Sequence, residues 1–129
     1  MNTTDILESR ALTINETARD AHSNATAHGF YDNASDLLAA LIDHGDARLF
    51  DSARRDFVLA QIAKVASECG EAVAVIQHDE GDERLAEEFA DIIIRVLDLS
   101  DWLKLDVGHA LTSKMQRNAS RPRLHGKTC

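Results

Sequence analysis

Hydrophobic positions recur every three to four residues over most of the chain, the repeat of an amphipathic helix. Over 4–28, Ile6, Leu7, Ala11, Leu12, Ala18 and Ala21 form a loose apolar stripe that Gly29 ends. The loop Gly29-Phe30-Tyr31-Asp32-Asn33 follows, and Ser35 is placed to cap a short helix over 36–44 that stops at Gly45. A long helix is predicted over 52–78. Its seam of Val58, Ile62, Val65/Ala66, Cys69, Ala72/Val73 and Ile76 is expected to face the core. Asp79-Glu80-Gly81-Asp82 reads as a tight turn, with Asp82 capping a fourth helix that carries Leu85, Phe89, Ile92/Ile93, Val96, Leu99 and Leu103. Two long amphipathic helices joined so briefly pack as antiparallel neighbours. A last helix over 107–118 ends before Pro122, and a basic tail, about 119–129, is expected to run extended. The pattern predicts one all-α domain over 1–129, an antiparallel bundle of four to five helices.

Composition narrows the class. Aromatic residues make up only 5 % of the 129, and proline occurs once, whereas a β-sandwich needs many turns and many aromatic or β-branched positions. Hydrophobic residues at 44 % beside charged ones at 28 % suit packed helices. The net charge of -8 argues against nucleic-acid and anionic-membrane partners, which require a positive field. Cys69 and Cys129 do not make a disulfide framework. No signal-peptide pattern follows Met1, and the apolar run Ile92-Ile93-Ile94 stops at Arg95, so the expected location is cytoplasmic.

The charge is unevenly distributed. Twelve acids lie between Glu68 and Asp106 against Arg84, Arg95 and Lys104, whereas His109 to Cys129 holds five basic residues and no acid. On the third helix Glu68 and Glu71 are three apart, and on the fourth so are Glu88 and Asp91; each pair shares a face beside the apolar seam. Glu71 and Asp91 each lie ten residues from Gly81, so an antiparallel hairpin brings the pairs to similar heights, Glu71 opposite Asp91 and Glu68 near Glu88. Four converging carboxylates repel one another unless they are protonated or bridged by cations, and hard divalent ions such as Mg²⁺ take oxygen ligands. A solvated charged face is the plain alternative. Other metal readings fail on spacing: there is no Glu-x-x-His pair for a di-iron site, and the six histidines are scattered without zinc-type spacing. Gly126-Lys127-Thr128 lacks the first glycine and the preceding strand of a P-loop.

Glu68-Cys69-Gly70-Glu71-Ala72, followed by Glu88-Phe89-Ala90-Asp91-Ile92, resembles the Glu-x-x-Glu / Glu-x-x-Asp signature of MazG-like all-α nucleoside triphosphate pyrophosphohydrolases. The likeness runs from Lys64 to Lys127. It includes Ile94-Arg95-Val96-Leu97-Asp98-Leu99 and a basic closing segment of Lys114-Met115, Asn118, Arg121-Pro122 and His125-Gly126-Lys127, similar to several phage-encoded members. The resemblance implies hydrolysis of (deoxy)nucleoside triphosphates to monophosphate and pyrophosphate with Mg²⁺, Mn²⁺ being a substitute. It makes Glu68, Glu71, Glu88 and Asp91 metal ligands, with Glu68 or Glu71 also orienting the attacking water. Lys64, Lys114, Asn118 and Arg121 become candidate phosphate-binding residues, with Arg117 a weaker one. Phe30 and Tyr31 become candidate base-stacking rings, while Trp102 is better suited to the core. The resemblance also implies a homodimer or homotetramer. Structural roles compete at several positions: Lys64 is spaced to pair with Glu68, and Asp98 with Arg95. Two other functions stay open: hydrolysis of an alarmone or damaged nucleotide, and a non-catalytic helical interaction or regulatory protein.

Overall fold

The computed structural model describes residues 2–122 and contains five helices: α1 Thr3–Ala27, α2 Asp32–His44, α3 Ala47–Gln77, α4 Asp82–Trp102 and α5 Val107–Ala119. The all-α expectation holds. Helix α1 starts with a capping box in which the Asn2 side chain accepts from Asp5 N and the Asp5 carboxylate accepts from Asn2 N. Helices α3 and α4 form the central antiparallel hairpin, and Gly81, at φ 96, lets the connecting turn enter α4. Helix α1 packs on α4 and α5, and α2 on α3. No helix among the described residues is long and apolar enough to cross a membrane.

Three helix starts differ from the sequence pattern. Helix α2 begins at Asp32, so Ser35 lies inside its first turn and donates its backbone N–H to the Tyr31 carbonyl at 2.8 Å. Helix α3 begins at Ala47 because Asp46, whose side chain accepts from Leu49 N at 3.0 Å, caps it ahead of the first periodic apolar residue. Asp82 is the first residue of α4 and not its cap, a place taken by Gly81. The tail expected to run extended from about 119 is instead helical at Ala119 and turns at Ser120 and Arg121, whose N–H donates to the Asn118 carbonyl at 3.2 Å; its remainder, 123–129, lies outside the described residues.

The largest correction concerns which stripe of α3 faces inward. Val65, Glu68, Ala72 and Val75 point into the bundle, whereas Ile62, Cys69, Val73 and Ile76, read from periodicity as core, are exposed. Helix α3 carries two adjacent apolar stripes at the same period, and contact with α4 uses only one. Phe89, Ile93 and Val96 of α4 are likewise exposed in the single chain.

Small residues set the α1 contacts. Ala11, Ala18 and Ala25, spaced seven apart, are all buried and let neighbouring helices approach α1 closely. At Gly108 the approach reaches backbone contact: a Cβ there would lie 2.1 Å from the Ala11 carbonyl oxygen. The Gly108 N–H donates to Asn15 Oδ1 at 2.8 Å, while Asn15 Nδ2 donates to the α5 cap Asp106 at 2.8 Å. His109 completes the join, one ring nitrogen 2.8 Å from Asp106 and the other 2.8 Å from Glu8 of α1. Glu8 and Asp106 raise the His109 pKa, and the hydrogen bond from Asn15, together with those from His109, lowers that of Asp106 to about 2. Gly108→Ala is expected to cost on the order of 3 kcal/mol, at the upper end of overpacking penalties, because backbone and not a flexible side chain stands in the way. Thermal melting checks this; a variant melting with the wild type would show that α5 is held elsewhere.

Candidate metal centre

Glu68 lies in the inward row of α3, and Glu88 in the row of α4 that meets it across the hairpin. Glu68 is buried, and Glu88, only 1 % exposed, is the largest fully buried side chain among the described residues. Glu71 stands one helical turn beyond Glu68 and is exposed. One carboxylate oxygen from each of Glu68, Glu71 and Glu88 lies within 4.8 Å of the others. The hairpin therefore gathers three of the four acids that the spacing pairs. Asp91, one turn along α4, is exposed and outside that group, although its charge still acts on Glu88.

The electrostatics of Glu88 are unusual for a carboxylate in this position. Neither of its oxygens has a hydrogen-bond partner among the described residues, although Arg84 Nη2 lies 2.5 Å from Oε1 as an ion contact. Burial pushes the Glu88 pKa up, Arg84 opposes that, and the charges of Glu71, Asp91 and Glu68 add to the rise. Native proteins seldom leave a buried carboxylate oxygen without a partner, as Oε2 is here among the described residues. A divalent cation would add positive charge to oxygens that already converge, and an all-oxygen donor set suits a hard ion.

Two arginines flank the acids, and sequence reading gave neither a place in the site. Arg84 pairs with Glu88 and also with Glu80 and Glu87. Arg95 reaches across the hairpin to Glu68 through Nε. The signal was available, since Arg84, Glu88, Asp91 and Arg95 follow one another at spacings of four, three and four along one face of α4.

The other predicted residues are dispersed. Lys64 is exposed on α3, and the salt bridge of Glu68 goes to Arg95 instead. Lys114 and Asn118 are exposed on α5, and Arg121 is exposed just after it; α5 packs on α1. Phe30 is 73 % exposed and stacks loosely on His28. Tyr31 departs from expectation. Its ring is buried against Phe57 and Trp102, with His22 at its edge, and its hydroxyl donates to Asp98 at 2.8 Å. That leaves no ring face for a base. Burial and the Asp98 charge also raise the Tyr31 pKa, so the phenol stays a donor. Asp98 serves this aromatic cluster through Tyr31 and His22, not Arg95, and Trp102 closes it beneath Arg54.

Residues 58–124, just over half of the chain, match the MazG nucleotide pyrophosphohydrolase domain family, and the chain belongs to it. The matched segment contains all four acids and both flanking arginines. No curated protein and no solved structure matches the chain. Membership makes the domain a nucleotide pyrophosphohydrolase in general class, and such domains typically depend on divalent metal.

Proposed function

We propose that this protein hydrolyses (deoxy)nucleoside triphosphates to monophosphate and pyrophosphate in a Mg²⁺-dependent reaction in the cytoplasm, Mn²⁺ serving as a substitute. The observation that carries the reading is Glu88: a buried carboxylate, ion-paired with Arg84 through one oxygen and without a partner on the other among the described residues, that faces Glu68 and Glu71. Glu68, Glu71 and Glu88 hold the metal, with Asp91 completing the set from the next turn of α4. A bound ion would supply neutralising charge for the triphosphate and for the departing pyrophosphate. Glu71, exposed at the rim, is the carboxylate best able to orient the attacking water, with Glu68 behind it. Water adds across the α–β anhydride, so its oxygen ends on one product and the bridging oxygen leaves with the other. Lys64, Lys114, Asn118 and Arg121 are the phosphate-binding candidates on this chain, and Phe30 is the ring free to stack on a base.

The reaction class is tested by phosphorus NMR of products formed from each common NTP and dNTP with Mg²⁺. Monophosphate and pyrophosphate should appear together without inorganic phosphate; release of phosphate and a diphosphate would overturn the assignment. Turnover confined to an alarmone or a damaged nucleotide would move the substrate class, and none with any nucleotide would favour an interaction protein.

The active assembly is proposed to be a homodimer, itself able to pair into a homotetramer. Leu59, Ile62, Cys69, Val73 and Ile76 of α3 follow a heptad-type spacing and are exposed, and Cys69, Val73 and Ile76 line one apolar groove with Leu85, Phe89 and Ile92 of α4. Helix α3, at 31 residues, outruns α4, at 21, so its uncovered stripe extends past the hairpin. A face this apolar and this long is rare on a monomer, and a second copy of the same stripe fits it by two-fold pairing.

A further inference from the structure

The two arginines beside the acids differ in what holds them. Arg84 is bound by Glu88 but also by Glu80 and Glu87, which lie outside the converging set. Arg95 has one ion pair among the described residues, and that partner is Glu68, a member of the set. Its side chain is 42 % exposed while that of Glu68 is 9 % exposed, so the guanidinium reaches in from the rim with solvent on its other side. It also shares a face of α4 with Glu88 and Asp91.

We propose that Arg95 is an exchangeable arm of the site: it neutralises Glu68 while the carboxylates are metal-free, and binds triphosphate oxygens once Glu68 serves as a metal ligand. This rests on the metal-dependent reading above. A guanidinium and a divalent cation compete for the same carboxylate oxygen and repel each other at close range. When Glu68 is engaged as a ligand, Arg95 therefore loses its partner while its Cα stays fixed on α4 beside the acids. A planar, permanently charged fork at the rim is matched by phosphate oxygens, to which it can donate two parallel hydrogen bonds. Arg84 has no such freedom, because Glu80 and Glu87 keep hold of it when Glu88 is engaged. Arg95 is thus a phosphate-binding residue that the motif of four acids does not contain, and its pairing with Glu68 is the resting position.

Calorimetric titration of the full chain tests this with Arg95→Gln and Arg95→Lys. The first titrant is Mn²⁺ alone, and the second is the Mn²⁺ complex of inorganic tripolyphosphate, which carries the phosphate charges without a base. Arg95→Gln should bind Mn²⁺ at least as tightly as wild type, because a competing cation has gone. It should bind the tripolyphosphate complex about tenfold or more weakly, the loss expected for a charged hydrogen bond. Arg95→Lys, keeping charge but not the fork, should recover part of that loss. Parallel weakening of both titrations would show that Arg95 only shapes Glu68, and unchanged tripolyphosphate binding would show that it does not reach the phosphates; either result overturns the exchange. Failure of wild type to bind Mn²⁺ at all would instead overturn the metal reading, and the exchange with it.

Discussion

Glu88→Gln is expected to melt at a higher temperature than wild type in the absence of metal, to lose most of the Mg²⁺-induced rise in melting temperature, and to turn over nucleotide about a hundredfold or more slowly. The substitution removes a charge that burial disfavours and that Glu71, Asp91 and Glu68 oppose, and it gives up the ion pair with Arg84; the raised Glu88 pKa shows that the opposition prevails, so the balance is a gain in stability. The kinetic loss exceeds what changes around a metal ligand usually cost, about 10–100-fold, because Glu88 is itself a proposed ligand. Loss of the metal effect follows by mass action: an ion present at a hundred times its dissociation constant stabilises by about 2.7 kcal/mol, and only where a site exists. The same carboxyl gives a pH signature. Its pKa is raised in the folded protein, so the fold takes up its proton more readily than the unfolded chain does. Metal-free wild type should therefore lose stability as pH rises from the ordinary glutamate range through the raised one, and Glu88→Gln should lack that component. Scanning calorimetry across pH, with and without Mg²⁺, measures the three stability effects, and a steady-state assay measures the turnover. Ordinary turnover by the variant, or an undiminished Mg²⁺ effect, would remove Glu88 from the metal set.

Joint replacement of Val73 and Ile76 by Asp should leave single chains of 14.2 kDa where wild type forms a dimer or larger assembly. Both side chains are more than half exposed in the single chain, so the charges are hydrated in the monomer and the five-helix fold survives. In the paired form the same charges would be buried in an apolar seam, at a cost of several kcal/mol each. Four such charges, two from each copy, exceed what an interface of ordinary size can absorb. Light scattering after size exclusion reads the mass, and far-ultraviolet circular dichroism confirms that the helices remain. A wild type that is already monomeric at micromolar concentration, or a variant that keeps the wild-type mass, would refute the paired face.

Much of the molecule is legible from local pattern. The helices, their order and the α3/α4 hairpin follow from period and turn chemistry, which depend on residues close in sequence. The four acids are legible for the same reason, since Glu68 and Glu71, and Glu88 and Asp91, share helix faces by spacing alone. What periodicity misjudged was orientation. Periodicity puts Glu68 beside the seam and Ile62, Cys69, Val73 and Ile76 within it, but the bundle turns Glu68 inward and leaves the other four exposed. A helix with two apolar stripes has two stable rotations, and the choice between them belongs to the neighbouring helix.

The sequence by itself determined an all-α chain and an antiparallel hairpin with acids on both arms, because each rests on spacing along one helix or across one short turn; membership in a nucleotide pyrophosphohydrolase family rests on the family match over residues 58–124. Only the tertiary structure decided that Glu88 is buried with Arg84 on one oxygen and no partner on the other among the described residues, that three acids converge while Asp91 stands aside, and that Arg95 holds Glu68 across the hairpin. It likewise committed Tyr31 and Asp98 to an aromatic cluster joining distant segments. These are contacts between residues far apart in sequence. They depend on how each helix is rotated about its own axis, and that rotation is set by packing against the others.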